Sequence, residues 1–128
     1  MRGKQWLRES RQYALVYSEG RSWANNLAVM KARPNGLTWS RYGFSISHRV
    51  GNAVTRNRVK RRFREILRVM PLKPGWDIIF IARPAADTNY TYLKQSASRL
   101  LQKSGVLETA NEDSGRRNRE SGLSTQER

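Results

Sequence analysis

TRNRVKRRFREILRVM, residues 55–70, is the stretch on which the fold turns. On a helix turning 100° per residue, Val59, Phe63, Ile66, Leu67 and Met70 fall within about 100° of one another. Asn57, Lys60, Arg61, Arg64 and Arg68 gather roughly opposite, while Arg58, Arg62 and Glu65 flank the apolar stripe on one side. The spacing predicts an amphipathic helix from about Arg56 to Val69. Thr55 suits its N-cap, and Val54 and Val59 suit a hydrophobic staple. One face of this helix is core and the other is a concentrated band of cations.

Working outward, Trp76 to Arg83 contains the continuous apolar run Ile78-Ile79-Phe80-Ile81, as in a strand buried on both faces. Upstream, Thr38 to His48 alternates Tyr42, Phe44 and Ile46 with Gly43, Ser45 and Ser47, a strand with one apolar and one small, polar face. Residues 24–32 read as its hairpin partner, joined through a type I turn at Arg33-Pro34-Asn35-Gly36. Ser10 to Glu19 is predicted helical, with Tyr13, Val16 and Tyr17 at i, i+3 and i+4 and Gly20 after it. Asp87 or Thr88 suits the cap of a last helix carrying Leu93, Ala97, Leu100 and Leu101, closed by Gly105. The order helix, hairpin, helix, strand, helix gives an α+β domain over residues 1–107, a small mostly antiparallel sheet packed with three helices. Residues 108–128 are almost devoid of apolar side chains, a composition that predicts a disordered tail.

Charge sets the functional class. Lys and Arg number 25 against 10 Asp and Glu, a net +15. Residues 108–128 hold five acids and four Arg, so the excess belongs to the folded part. Such self-repulsion opposes compaction, and its usual beneficiary is a polyanion rather than a small neutral substrate. Seven cations stand between Arg56 and Arg68 against one acid, Glu65, so i, i+4 pairs on the helix itself cannot satisfy them. Arg56, Arg58 and Lys60 also sit in the first turns, where the helix dipole disfavours cations. Phosphates supply the missing compensation through bidentate guanidinium contacts. The competing reading of this face is a solvated surface or a dock for an acidic protein. Cys is absent, which fits a reducing cytoplasm. There is no apolar run of the roughly 18 residues a membrane span needs, so no membrane partner is expected.

Neither zinc-finger spacing nor a basic-zipper heptad is present, and the basic helix belongs to an α+β core rather than a helix-turn-helix. Unpaired RNA bases stack on exposed aromatics, and Tyr13 and Tyr17, one turn apart, are candidates. The same spacing suits plain core packing. His48 is the sole His. Without a second His or clustered carboxylates, a nuclease site on the protein is poorly supported, and no catalytic or metal-ligating residue is assigned.

The segment from Gly43 to Arg64, GFSISHRVGNAVTRNRVKRRFR, resembles the signature of the bacterial ribonuclease P protein subunit, with Arg56-Asn57-Arg58 its most specific mark. Tyr13 to Gly20, Asp77 to Arg83 and Tyr92 to Leu101 resemble the family's first helix, last strand and last helix. The resemblance covers roughly residues 7–105. It implies a protein that binds a catalytic RNA subunit and helps it remove the 5′ leader from precursor tRNA. The chemistry would lie in the RNA with Mg²⁺, with no small-molecule substrate and a cytoplasmic location. It further implies that Arg56, Asn57, Arg58, Lys60, Arg61, Arg64 and Arg68 face the catalytic RNA. Tyr13, Tyr17, Ser45 and Ser47 would line a cleft for the single-stranded leader. It also implies a left-handed βαβ crossover, against the usual hand. Tyr replaces the family's common Phe in the first helix. Lys31 stands where an aromatic is frequent, and His48-Arg49 replaces a frequent Lys pair. The alternative class is a ribosomal or other structural RNA-binding protein without processing activity.

Overall fold

A computed structural model describes residues 4–108. The tail predicted at 108–128 lies outside the described residues except for Glu108, whose N–H donates to the Pro71 carbonyl. Three helices, α1 (Ser10–Glu19), α2 (Ala53–Val69) and α3 (Tyr90–Ser104), pack on five strands: β1 (Lys4–Trp6), β2 (Arg21–Ala24), β3 (Ala28–Pro34), β4 (Ser40–Ser45) and β5 (Trp76–Ala82). The strand order is β1-β4-β5-β3-β2. The β2–β3 and β3–β5 ladders are antiparallel, while β1–β4 and β4–β5 are parallel. None of the described helices is long and apolar enough to cross a membrane.

The predicted hairpin between residues 24–32 and 38–48 does not form. β5 lies between β3 and β4 and pairs with both. The reason is its composition: Ile78, Ile79 and Phe80 are fully buried, and only a central strand covers both faces of such a run. The hairpin is instead β2–β3, closed by Asn25, whose side chain accepts from the Leu27 and Ala28 amides. The Pro34–Gly36 segment crosses over the start of β5. There Asn35 donates to Asp77 at 2.8 Å and to the Trp39 carbonyl, and accepts from the Leu37 amide. Asp77, 1% exposed, also takes a two-bond fork from Arg41 at 2.8 and 2.7 Å. That fork holds the Arg41 guanidinium further above its ordinary pKa.

The two sheet faces carry different layers. Tyr42, Phe44, Ile78, Phe80 and Met30 meet α2 and α3 in the main core. Ile79 and Ile81 face the other way, against Leu7, Tyr13 and Val16. The parallel, adjacent β4 and β5 are joined through α2, so the basic helix is the crossover of a βαβ unit seated on the sheet's centre.

Candidate nucleic-acid interface

α2 begins three residues earlier than its periodicity predicted. Asn52, not Thr55, is the N-cap, its side chain accepting from the Thr55 amide at 3.0 Å. Val54 is 70% exposed, so the predicted staple is absent. Before the cap, Gly51 adopts φ 152°, and a Cβ there would stand 2.8 Å from the Thr55 side chain. A glycine is therefore required to turn the chain into the helix. Val59, Phe63, Ile66 and Leu67 are buried, which leaves Asn57, Lys60, Arg61, Arg64 and Arg68 exposed along one band about 100° wide.

The structure divides the seven cations. Arg56 donates to the Gly51 carbonyl at 2.9 Å, and Arg58 to both oxygens of Asp87 at 3.0 and 3.3 Å. Arg62 donates to the Thr88 carbonyl and lies 3.9 Å from Asp87. Local compensation therefore exists for these three, contrary to expectation. For Arg58 and Arg62 it comes from the loop before α3, 29 residues beyond Arg58, which helical spacing cannot reveal. Arg68 pairs with Glu65 one turn back. Lys60 and Arg61 have no ion-pair partner among the described residues.

Arg64 rests on an aromatic column. Its guanidinium carbon lies 5.0 Å from the centre of Trp6, a cation–π contact. Trp6 meets Tyr42 edge-on at 4.6 Å and Phe44 at 5.7 Å. Phe44 stacks on Phe63 and Phe63 on Phe80, each at 5.5 Å. Burial raises the Tyr42 hydroxyl above its ordinary pKa, and the nearby Arg68 and Arg64 charges oppose the rise. Trp6 had no signature in the sequence, because it lies on a three-residue edge strand without periodicity.

On the opposite face α1 crosses the sheet. Tyr13 lies directly over Gly43, where any Cβ would fall 2.2 Å from its hydroxyl oxygen and 2.7 Å from the ring. Gly43 is thus the space that Tyr13 occupies. Burial raises the Tyr13 pKa, partly offset by a hydrogen bond from the Phe44 backbone amide. At the other end of α1, Glu19 pairs with Arg33 at 3.1 Å. On a helical wheel Tyr17 lies on the flank away from Glu19. Arg33 shares a row with Asp77, and two rows along the sheet register aligns Ser45, Ile81 and Val29. Those three are half-buried and Tyr17 is 42% exposed. This face therefore carries the Tyr13 ring over Gly43, with the exposed Tyr17 one turn further along α1.

Ser45 lies two positions from Gly43 on β4, on the same face of the sheet. Ser47 does not lie on the strand, which ends at Ser45, and its hydroxyl accepts from the Arg49 amide to cap a short 3₁₀ turn at His48–Val50. Lys31 shares a row with Ile79 and Gly43, and its ammonium donates to Ser22 at 2.7 Å. His48 is exposed. Among the described residues no group of three or more His, Cys, Asp or Glu is arranged to hold a metal ion.

A family profile described as Ribonuclease P matches residues 1–105. The chain belongs to the ribonuclease P protein family. The ribonuclease P protein component of Dehalococcoides mccartyi is 48% identical over 102 residues, covering 79% of this chain and 85% of that relative. That of Roseiflexus castenholzii is 43% identical over 108 residues, covering 81% and 88%. Among solved structures, the Staphylococcus aureus RNase P protein superposes with a TM-score of 0.74 at 31% identity, covering 80% of this chain and 97% of that one. The Thermotoga maritima RNase P protein gives 0.71 at 31% identity, covering 76% and 94%. Membership fixes the class: a ribonuclease P protein component working with an RNA subunit in tRNA 5′ maturation, rather than a structural RNA-binding protein.

Proposed function

We propose that this protein binds its catalytic RNA through the exposed band of α2 and holds the precursor tRNA leader along α1 and the adjoining sheet face. The observation that carries the reading is the band itself. Lys60 and Arg61 project from a helix seated on the core with no anionic partner among the described residues. Arg64 is steadied by Trp6, and Asn57 and Arg68 extend the same line. Arg56 and Arg58, tied to Gly51 and Asp87, flank it and help fix the approach of the RNA. Stacked guanidinium groups keep their N–H edges available, so Arg64 can rest on Trp6 and fork onto a phosphate at once.

Tyr13 and Tyr17 offer faces to successive unpaired bases, with Ser45 as a nearby hydroxyl donor to the sugar–phosphate chain. Contacts of this kind tolerate any base sequence, as a processing activity with many different leaders requires. Ser47, committed to its cap, contributes through the backbone turn it holds. No chemical step is assigned to this chain. Phosphodiester cleavage is placed in the RNA with Mg²⁺, in the cytoplasm.

The test is reconstitution with the catalytic RNA of the same organism. Cleavage of precursor tRNA at low Mg²⁺ should require both partners, and the protein alone should be inactive. Cleavage by the protein alone, after exhaustive removal of RNA, would overturn this assignment.

A further inference from the structure

α3 carries a second cationic surface that the reading above does not use. Between Thr88 and Leu107 the chain has Lys94, Arg99 and Lys103 and no Asp or Glu. None of the three cations has an ion-pair partner among the described residues. Lys94 and Arg99 line a groove of about 380 Å³ with Gln95, Ser98 and Gln102, closed on one side by Met70 at the end of α2. The groove therefore starts two residues beyond Arg68, where the α2 band ends. Lys94 also lies 6.0 Å from the ring centre of Tyr90, which is itself 38% exposed. The acid nearest in sequence, Glu108, is anchored by its backbone at Pro71 and does not line the groove.

The lining chemistry selects the partner. A protein docking here would need an apolar centre to bury, but Met70, the sole large apolar lining residue, is already buried, with 7% of its surface exposed. Two cations, two carboxamides and a hydroxyl suit a sugar–phosphate backbone, which is held by Arg, Lys, Gln and Ser and requires no apolar contact. The carboxamides can also meet 2′-hydroxyls, which DNA lacks.

We propose that the groove between the end of α2 and α3 is a second RNA-backbone site, gripping a segment of the catalytic RNA other than the one on the α2 band. The proposal rests on the α2 band contacting that RNA, and the experiment separates the two. The chain has no native Cys, so an iron–EDTA probe can be tethered at Ser98→Cys in the groove or at Val54→Cys beside the band. Each full-length protein is bound to its catalytic RNA and hydroxyl-radical cleavage is mapped. Both probes should cut, at different nucleotides. The Lys94→Ala, Arg99→Ala pair should erase the Ser98 cuts, keep the Val54 cuts, and flatten the slope of log K against log salt by about 1.4–1.8. Cuts from Val54 alone, or Ser98 cuts that persist in the alanine pair, would overturn the groove and leave the band standing. An unchanged salt slope in the alanine pair would also overturn it, leaving the groove to an acidic protein. Absence of cuts from both probes would remove the band as well.

Discussion

Trp6→Leu should weaken binding of the catalytic RNA although Trp6 carries no charge. The ring holds the Arg64 guanidinium 5.0 Å from its centre, so Arg64 is ordered before the RNA arrives. Without the ring, ordering that long side chain falls to the binding step, at about 0.5–1.5 kcal/mol. The affinity should therefore drop about 2- to 12-fold. Leu keeps apolar volume against Tyr42 and Phe44, but their edge-on and tilted ring contacts with Trp6 are lost at about 0.5–1.5 kcal/mol each. Thermal denaturation of each variant shows that binding is read on folded protein. The assay is a double-mutant cycle with Arg64→Ala, measured by titration of labelled catalytic RNA. Trp6→Leu should act when Arg64 is present and be nearly silent once Arg64→Ala has been introduced, with Trp6→Phe intermediate. Equal losses in both backgrounds would refute the reasoning. So would tighter binding, which would mean that Arg64 must leave the ring to reach a phosphate.

Lys60→Ala with Arg61→Ala should flatten the salt dependence of RNA binding by about 1.4–1.8 units while leaving the Tm nearly unchanged, since both side chains lie on the outer band and form no ion pair among the described residues. Tyr13→Ala with Tyr17→Ala should weaken holoenzyme binding of precursor tRNA by about 1–3 kcal/mol per lost stack and leave mature tRNA unaffected; equal loss for both would place the rings outside the leader site. Gly43→Ala should destabilise by about 1–3 kcal/mol because its Cβ meets the Tyr13 ring, and adding Tyr13→Ala should recover part of the loss in thermal denaturation. Arg41→Ala should cost about 3–5 kcal/mol in chemical denaturation by stranding the buried Asp77 carboxylate; a loss under about 1 kcal/mol would show that Asn35 alone suffices.

Much of this was legible in the sequence for identifiable reasons. α2 announced itself because its apolar residues repeat at the helical period while its cations fall opposite. β5 announced itself as an unbroken apolar run. The bounds of α1 and the end of α3 at Gly105 matched the structure. Misreadings arose where a side chain far along the chain decided the outcome. Asn35 looked like a turn residue but clips Asp77 across 42 positions, and the expected hairpin gave way to β5. Asn89 caps α3 at the Tyr92 amide, while Asp87, expected there, serves Arg58. At the interface, Lys60, Arg61 and Arg64 were legible by charge, but Trp6 and Asp87 carry no local signature. Ser47 shares its polarity with Ser45 and differs only because the strand has already ended.

The position of β5 has a consequence for how the protein is made. α2 is synthesised first, yet the surface it packs against includes Phe80, which reaches Phe63 from the central strand. The thirteen residues that follow Val69, through Ala82, take about one to three seconds to translate. During that interval a strongly basic, amphipathic segment leaves the ribosome without its seat. Of the sheet's ladders only β1–β4 and β2–β3 do without β5, so the two halves of the sheet stay unjoined until it arrives. The nascent segment emerges beside ribosomal RNA, a polyanion at high local concentration. Completion of β5 draws the apolar stripe onto the sheet and turns a generic cationic peptide into an oriented cationic surface.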